Sequence, residues 1–223
     1  MKKHLLLLLS ILLLQSSRAQ VVAEHYESWN SVAKDIKINK IKLNFDVSLR
    51  FYGFPLHWRQ QLYRGQIAYA LSDHLQLGAG YAFSNQYPYS GAEAANEHRF
   101  HFVIQEDWKN GKISFRSRFR WEYQLMENLK DPEHRIPYHR PRYQYRMAID
   151  LKNTKNQIIL ADEVLFQSHN FNCFGFDQNR VYLGFRRKFE KSRYIELAYM
   201  NILLDKKSGK YELNHVLWLT FGL

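Results

Sequence analysis

Lys112–Leu125 reads KISFRSRFRWEYQL, and its large apolar residues and its charged residues fall on opposite parities. Successive side chains of an extended strand point to opposite faces, so each parity is a face. Ile113, Phe115, Phe119, Trp121, Tyr123 and Leu125 point one way, while Ser114, Arg116, Arg118, Arg120, Glu122 and Gln124 point the other. A row of arginines does not fit the dry core of a soluble protein, and a face of large apolar side chains does not fit water. Lipid outside and a wet lumen inside satisfy both faces, which is the arrangement of a transmembrane β-barrel strand.

The same two-solvent pattern recurs along the chain. Ile41–Phe51 places Ile41, Leu43, Phe45, Val47, Leu49 and Phe51 on one face and Lys42, Asn44, Asp46, Ser48 and Arg50 on the other. Strand-like segments follow at about 61–71, 75–84, 96–109, 112–126, 142–151, 157–167, 179–189, 193–203 and 211–223, with a weakly patterned first segment near 25–36. Tight connections, such as Asn110-Gly111 with its type I′ hairpin signal, alternate with the longer stretches 52–58, 85–95, 127–141, 168–178 and 204–210. Short turns at one end and longer loops at the other are the habit of outer-membrane barrels. Eleven segments are counted, whereas single-chain bacterial barrels have an even number of strands. The expectation is therefore an all-β, antiparallel up-and-down transmembrane β-barrel of about ten to twelve strands, with either a strand missed or a first segment that falls short of spanning. Many aromatic residues sit near segment ends, as interfacial girdles require. The last strand carries Leu217, Leu219, Phe221 and Leu223 on one parity, the kind of terminal strand that barrel-assembly machinery reads.

Residues 1–19 read as a secretory leader: Lys2 and Lys3, an apolar run from Leu5 to Leu14, and small residues at Ser17 and Ala19. The apolar run is too short for an ordinary spanning helix. Residues 20–223 then form one barrel domain, and an exported barrel implies a bacterial outer membrane. Basic residues outnumber acidic ones by 32 to 21; without Lys2, Lys3 and Arg18 the balance is 29 − 21 = +8. The arginines alternate with apolar residues along strands and are not gathered into a patch, so nucleic acid is not the expected partner. The single cysteine, Cys173, excludes an internal disulfide framework and reads as a loop residue.

Several segments resemble a family: EHRFHF at Glu97–Phe102 and the arginine-rich strand after it, FDQNRVYLGF at Phe176–Phe185, IELAYMN at Ile195–Asn201 and NHVLWLTF at Asn214–Phe221. Together they are similar to the Bacteroidetes domain-of-unknown-function family 2490. The resemblance covers essentially all of the chain after the leader. It implies a small outer-membrane β-barrel and brings no catalytic residues to carry over.

Parity nominates a lumen set. Its core is Arg50; Arg99, His101 and Asp107; Arg116, Arg118, Arg120 and Glu122; Arg142 and Arg146; and Arg180 and Arg186, with Lys42, Asp46, Gln105, Gln144, Asp150, Lys188 and Glu196 on the same parities. Cross-strand opposite charges attract, and long side chains fill a barrel of this size, so a structural or interaction barrel with a salt-bridged lumen is the leading expectation. The runner-up is a narrow anion-preferring channel for a small anionic solute, because rings of arginine select anions. A lipid-modifying enzyme ranks third. His98, His101, His134, His139, His169 and His215 and Ser114, Ser117 and Ser168 supply ingredients, but no nucleophile motif is present. No catalytic residue, cofactor or metal is expected. His98 and His101 fall on opposite faces of one strand and cannot share a metal; His134 and His139 are spaced to touch one, with no third ligand in view. The densely charged stretch Glu127–Pro141 is expected as an exposed loop. Membrane lipid and lipopolysaccharide are the expected surroundings.

Overall fold

The computed structural model describes residues 20–53, 57–131, 133–152, 154–169, 171, 173–206 and 209–223, so the expected leader lies outside the described residues. Eleven strands run up and down: β1 (Gln20–Ile38), β2 (Ile41–Tyr52), β3 (His57–Ala70), β4 (Leu75–Gln86), β5 (Ala95–Asn110), β6 (Ile113–Glu127), β7 (Arg135–Asp150), β8 (Asn156–Gln167), β9 (Gly175–Lys188), β10 (Tyr194–Asp205) and β11 (Lys210–Gly222). They form one closed barrel in sequence order, sealed where β1 meets β11. No helix occurs among the described residues.

The odd strand number overturns the expectation of an even one, and the first segment does not fall short. β1 is 19 residues long and is paired on both edges. It runs antiparallel to β2 over Glu27–Ile38 and parallel to β11 over Gln20–Ala33. An odd count makes the first and last strands run the same way, so closure requires one parallel ladder, whose slanted bonds still leave no open edge. Side chains tie this seam from inside. Trp218 Nε1 donates to Ser31 Oγ at 2.9 Å, Asn214 Nδ2 donates to Glu27 at 3.2 Å, and the Trp29 and Trp218 rings meet edge to face at 5.3 Å. β1 is weakly patterned in sequence because Glu24, Ser28, Asn30 and Lys34 interrupt the outward Tyr26, Val32, Ile36 and Ile38.

Two local expectations are also corrected. Asn110 is the last residue of β5, paired with Ile113, and in that turn only Gly111 has a positive φ, at 57°. The turn is therefore not the type I′ hairpin that Asn-Gly suggests, since that type needs positive φ at both central residues. The stretch expected as a loop at 127–141 is mostly strand. β7 begins at Arg135 and pairs with β6 from Glu127↔Arg135 onward, whereas its ladder to β8 begins only at Arg142. Pro137 and Pro141 thus sit where one edge of β7 needs few donors, the position in which a strand tolerates proline.

The exterior is apolar around the wall: Phe45, Ile67, Phe102, Ile104, Leu183, Phe185, Leu197 and Leu217 are all exposed, Phe102 at 67%. Polar groups on this face bond to one another. Tyr81 and Tyr199 hydroxyls lie 2.6 Å from Nδ1 of His98 and His215, and Asn179 donates to Asp162 at 2.6 Å. The interior has two walls. Inward residues of β8 to β11 and β1 form an apolar cluster of Ile159, Tyr182, Ala198, Met200, Ile202, Val216 and Trp29. The inward faces of β2 to β7 carry most of the charge, joined by Glu163 of β8, Arg180 and Arg186 of β9 and Glu196 of β10.

Candidate functional site

Each lumen arginine is placed by strand alternation, and the ladder register decides which carboxylate it meets. Two adjoining cavities occupy the lumen. One, of about 330 Å³, lies toward the longer loops and is lined by Arg50, Arg99, Arg142 and Arg180 against Trp29, Met200 and Ile202. The other, of about 400 Å³, lies toward the tight turns and is lined by Arg120, Asp107, Gln157, Lys42 and Lys188. Arg64, Arg116, Arg118, Arg146 and Arg186 border both.

Between the cavities lies a layer of shared ion pairs. Glu122, fully buried, accepts from Arg140 at 2.8 Å and Arg142 at 3.0 Å, with Arg99 and Arg120 further off at 3.8 and 3.7 Å. Glu163 accepts from Arg142 at 2.6 Å and Arg118 at 3.2 Å, and Arg180 stands 3.6 Å away. Glu97 holds Arg99 at 2.7 Å and Gln124 at 2.8 Å. Arg142 is the bridge, because one planar guanidinium reaches both Glu122 and Glu163. Six guanidinium groups thus share three buried carboxylates, with Asp177 adding a contact at 3.9 Å to Arg140.

On the turn side the pairing is closer to one for one. Asp46 holds Arg64 at 2.6 Å, Asp107 holds Arg116 at 2.6 Å, and Glu196 holds Arg146 at 3.0 Å and Arg186 at 2.5 Å. On the loop side Arg50 has no carboxylate within ion-pair range among the described residues. It donates to Gln60 at 2.6 Å and lies 3.5 Å over the Trp29 ring, a cation–π contact.

The loop after β4 folds back into this end. Tyr89 stacks on His25 at 3.8 Å, lies under the Arg59 guanidinium at 4.6 Å and donates its hydroxyl to Glu27. Burial, with the negative Glu27 beside it, pushes the Tyr89 phenol pKa upward, so the group remains a donor.

All twelve residues nominated from parity face the lumen; His101, at 1% exposure, lies 3.3 Å from Gln66. Glu97, Glu163, Arg64, Arg140 and Tyr89 belong to the network and were not nominated. Arg64 and Glu97 share the parities of Gln66 and Arg99, a signal that could have found them, and Arg140 shares that of Arg142 but was hidden by the loop reading. The histidines are dispersed. His139 faces outward against Tyr123 and Phe171, while His134 sits in a turn 2.7 Å from Asp131, so the two do not share a metal. Among the described residues no group of three His, Cys, Asp or Glu could hold one.

A family model described as "Protein of unknown function (DUF2490)" matches residues 26–212. The chain belongs to that family. No curated protein matches it. Among solved structures it is similar to the trimer form of in-vitro folded OmpT, an outer membrane protein of Vibrio cholerae, at 14% identity and a TM-score of 0.45. That match covers 79% of this chain and 57% of OmpT, so the chain spans little more than half of OmpT. It is also similar to the β-domain of the Bordetella autotransporter BrkA, at 8% identity and a TM-score of 0.46, covering 81% of this chain and 82% of that domain.

Proposed function

We propose that this family member resides in the bacterial outer membrane as a salt-bridge-filled barrel serving a structural or interaction role. One observation carries the reading: an apolar exterior encloses a lumen crossed by the Arg142-centred layer of ion pairs. The exterior matches the hydrocarbon-facing band of membrane barrels, and the Bacteroidetes resemblance of the sequence agrees with that location. Lipid and lipopolysaccharide are its surroundings, and the apolar outward face of β11 is the segment offered to the assembly machinery.

Fractionation tests location, and planar-bilayer conductance tests the closed lumen. The purified protein should co-sediment with outer membranes and give no sustained current. Recovery as a soluble periplasmic protein sinks the first part, and steady open-channel conductance sinks the second.

The excess of arginine over carboxylate favours a second reading, a narrow anion-preferring pathway through the two adjoining cavities. If the barrel conducts, this reading requires selectivity for anions over cations, and cations passing equally well would remove it.

A further inference from the structure

Arg120 is 4% exposed, yet its Nε and Nη1 have no hydrogen-bond partner. Its nearest carboxylate oxygen, Oε1 of Glu122, is 3.7 Å away and already engaged by Arg142 at 3.0 Å, while Arg140 holds the other oxygen, Oε2, at 2.8 Å. Arg118, two residues before it on the same face, has an Nε that likewise lacks a partner. Both side chains line the turn-side cavity of about 400 Å³. The carboxylates bordering that cavity are committed elsewhere: Asp46 to Arg64, Asp107 to Arg116 and Asp35 to Lys42.

A guanidinium withdrawn from bulk water without hydrogen bonds is costly. A ligand that satisfies these donors and also offsets the local positive charge accepts hydrogen bonds, carries negative charge and fits the space beside Arg118 and Arg120. A planar guanidinium fork matches the oxygens of phosphate or carboxylate in paired hydrogen bonds. We propose that the turn-side cavity holds a small resident oxyanion, of the phosphate or carboxylate class, bound by Arg118 and Arg120 and neutralising the arginine excess of the layer above. The barrel wall separates this cavity from the exterior, so the ligand is a free solute anion and not a lipid headgroup. The inference does not depend on whether the lumen conducts.

The test uses the full-length protein folded in detergent micelles, with inorganic phosphate, acetate and chloride titrated at constant ionic strength while thermal unfolding is followed. Wild type should be stabilised in a saturable manner by phosphate or acetate and less by chloride; a preference between the first two assigns the class. Arg120→Gln should weaken that apparent affinity about tenfold to a hundredfold, the loss of a charge-assisted hydrogen bond. Arg59→Gln, at the loop-side rim, should leave it unchanged. General stabilisation by excluded salts does not saturate and acts equally on all variants. If Arg120→Gln fails to fold, equilibrium dialysis of wild type against labelled phosphate and acetate decides, with about one equivalent expected. Absence of saturable binding by wild type overturns the inference, as does an Arg120→Gln protein that responds like wild type.

Discussion

At the scale of single residues the arginines are not interchangeable, although they look alike in sequence. Arg142 joins Glu122 to Glu163, so Arg142→Gln strips hydrogen bonds from two buried carboxylates at once. It should destabilise the barrel by about 3–5 kcal/mol, the usual cost of breaking a buried pair. Arg120→Gln removes a group with unmet donors and, without added anion, should cost much less. Urea unfolding of both variants checks the order, and equal losses would contradict the partner assignment. Gly80 offers a second test. A Cβ there would collide with the Gly65 carbonyl oxygen and the His101 ring. Since the backbone oxygen cannot move aside, Gly80→Ala should cost about 1–3 kcal/mol, as overpacking does. A variant as stable as wild type would mean that β3 and β4 stand further apart than described.

At the scale of strands, parity was legible wherever the two faces met different solvents. β2 is the clearest case: Phe45 and Val47 are exposed outward, while Asp46 and Ser48 point in. Val47→Arg should therefore cost roughly 2–4 kcal/mol against lipid. Asn44→Arg, which enters the turn-side cavity near Asp35, should be tolerated. Folding yield in vesicles distinguishes them, and equal yields would show that the faces are misassigned. Parity failed where the two faces were alike. On β8 the inward residues Gln157, Ile159, Ala161, Glu163 and Leu165 are mostly apolar, as are the outward ones, so Glu163 gave no signal. The first half of β7 read as part of a densely charged loop ending at Pro141, because sequence does not reveal that one edge of the strand is largely unpartnered. Which carboxylate meets which arginine depends on register across the sheet, and no local pattern encodes it.

At the scale of the whole molecule, barrel closure was readable in kind but not in hand. Amphipathic segments joined by short turns imply a closed sheet, since an open edge in hydrocarbon leaves backbone groups unpaired. That β1 and β11 run parallel follows only from trusting the odd count, and the polar interruptions in β1 argued against doing so.

The parallel seam also gives the barrel a polarity that an even-stranded one lacks. Gln20 enters the wall beside Lys210, at the rim of the longer loops, whereas Gly222 leaves it at the rim of the tight turns. A barrel whose first strand starts and whose last strand finishes at one rim differs from this one, in which the start of β1 and the finish of β11 lie at opposite rims. In the outer-membrane placement proposed above, a short epitope immediately before Gln20 and another after Leu223 should therefore be labelled from opposite sides of the sealed membrane, the first on intact cells and the second only after the envelope is opened. Labelling of both from one side would mean that β1 does not cross, and that the barrel in the membrane has a different closing pair.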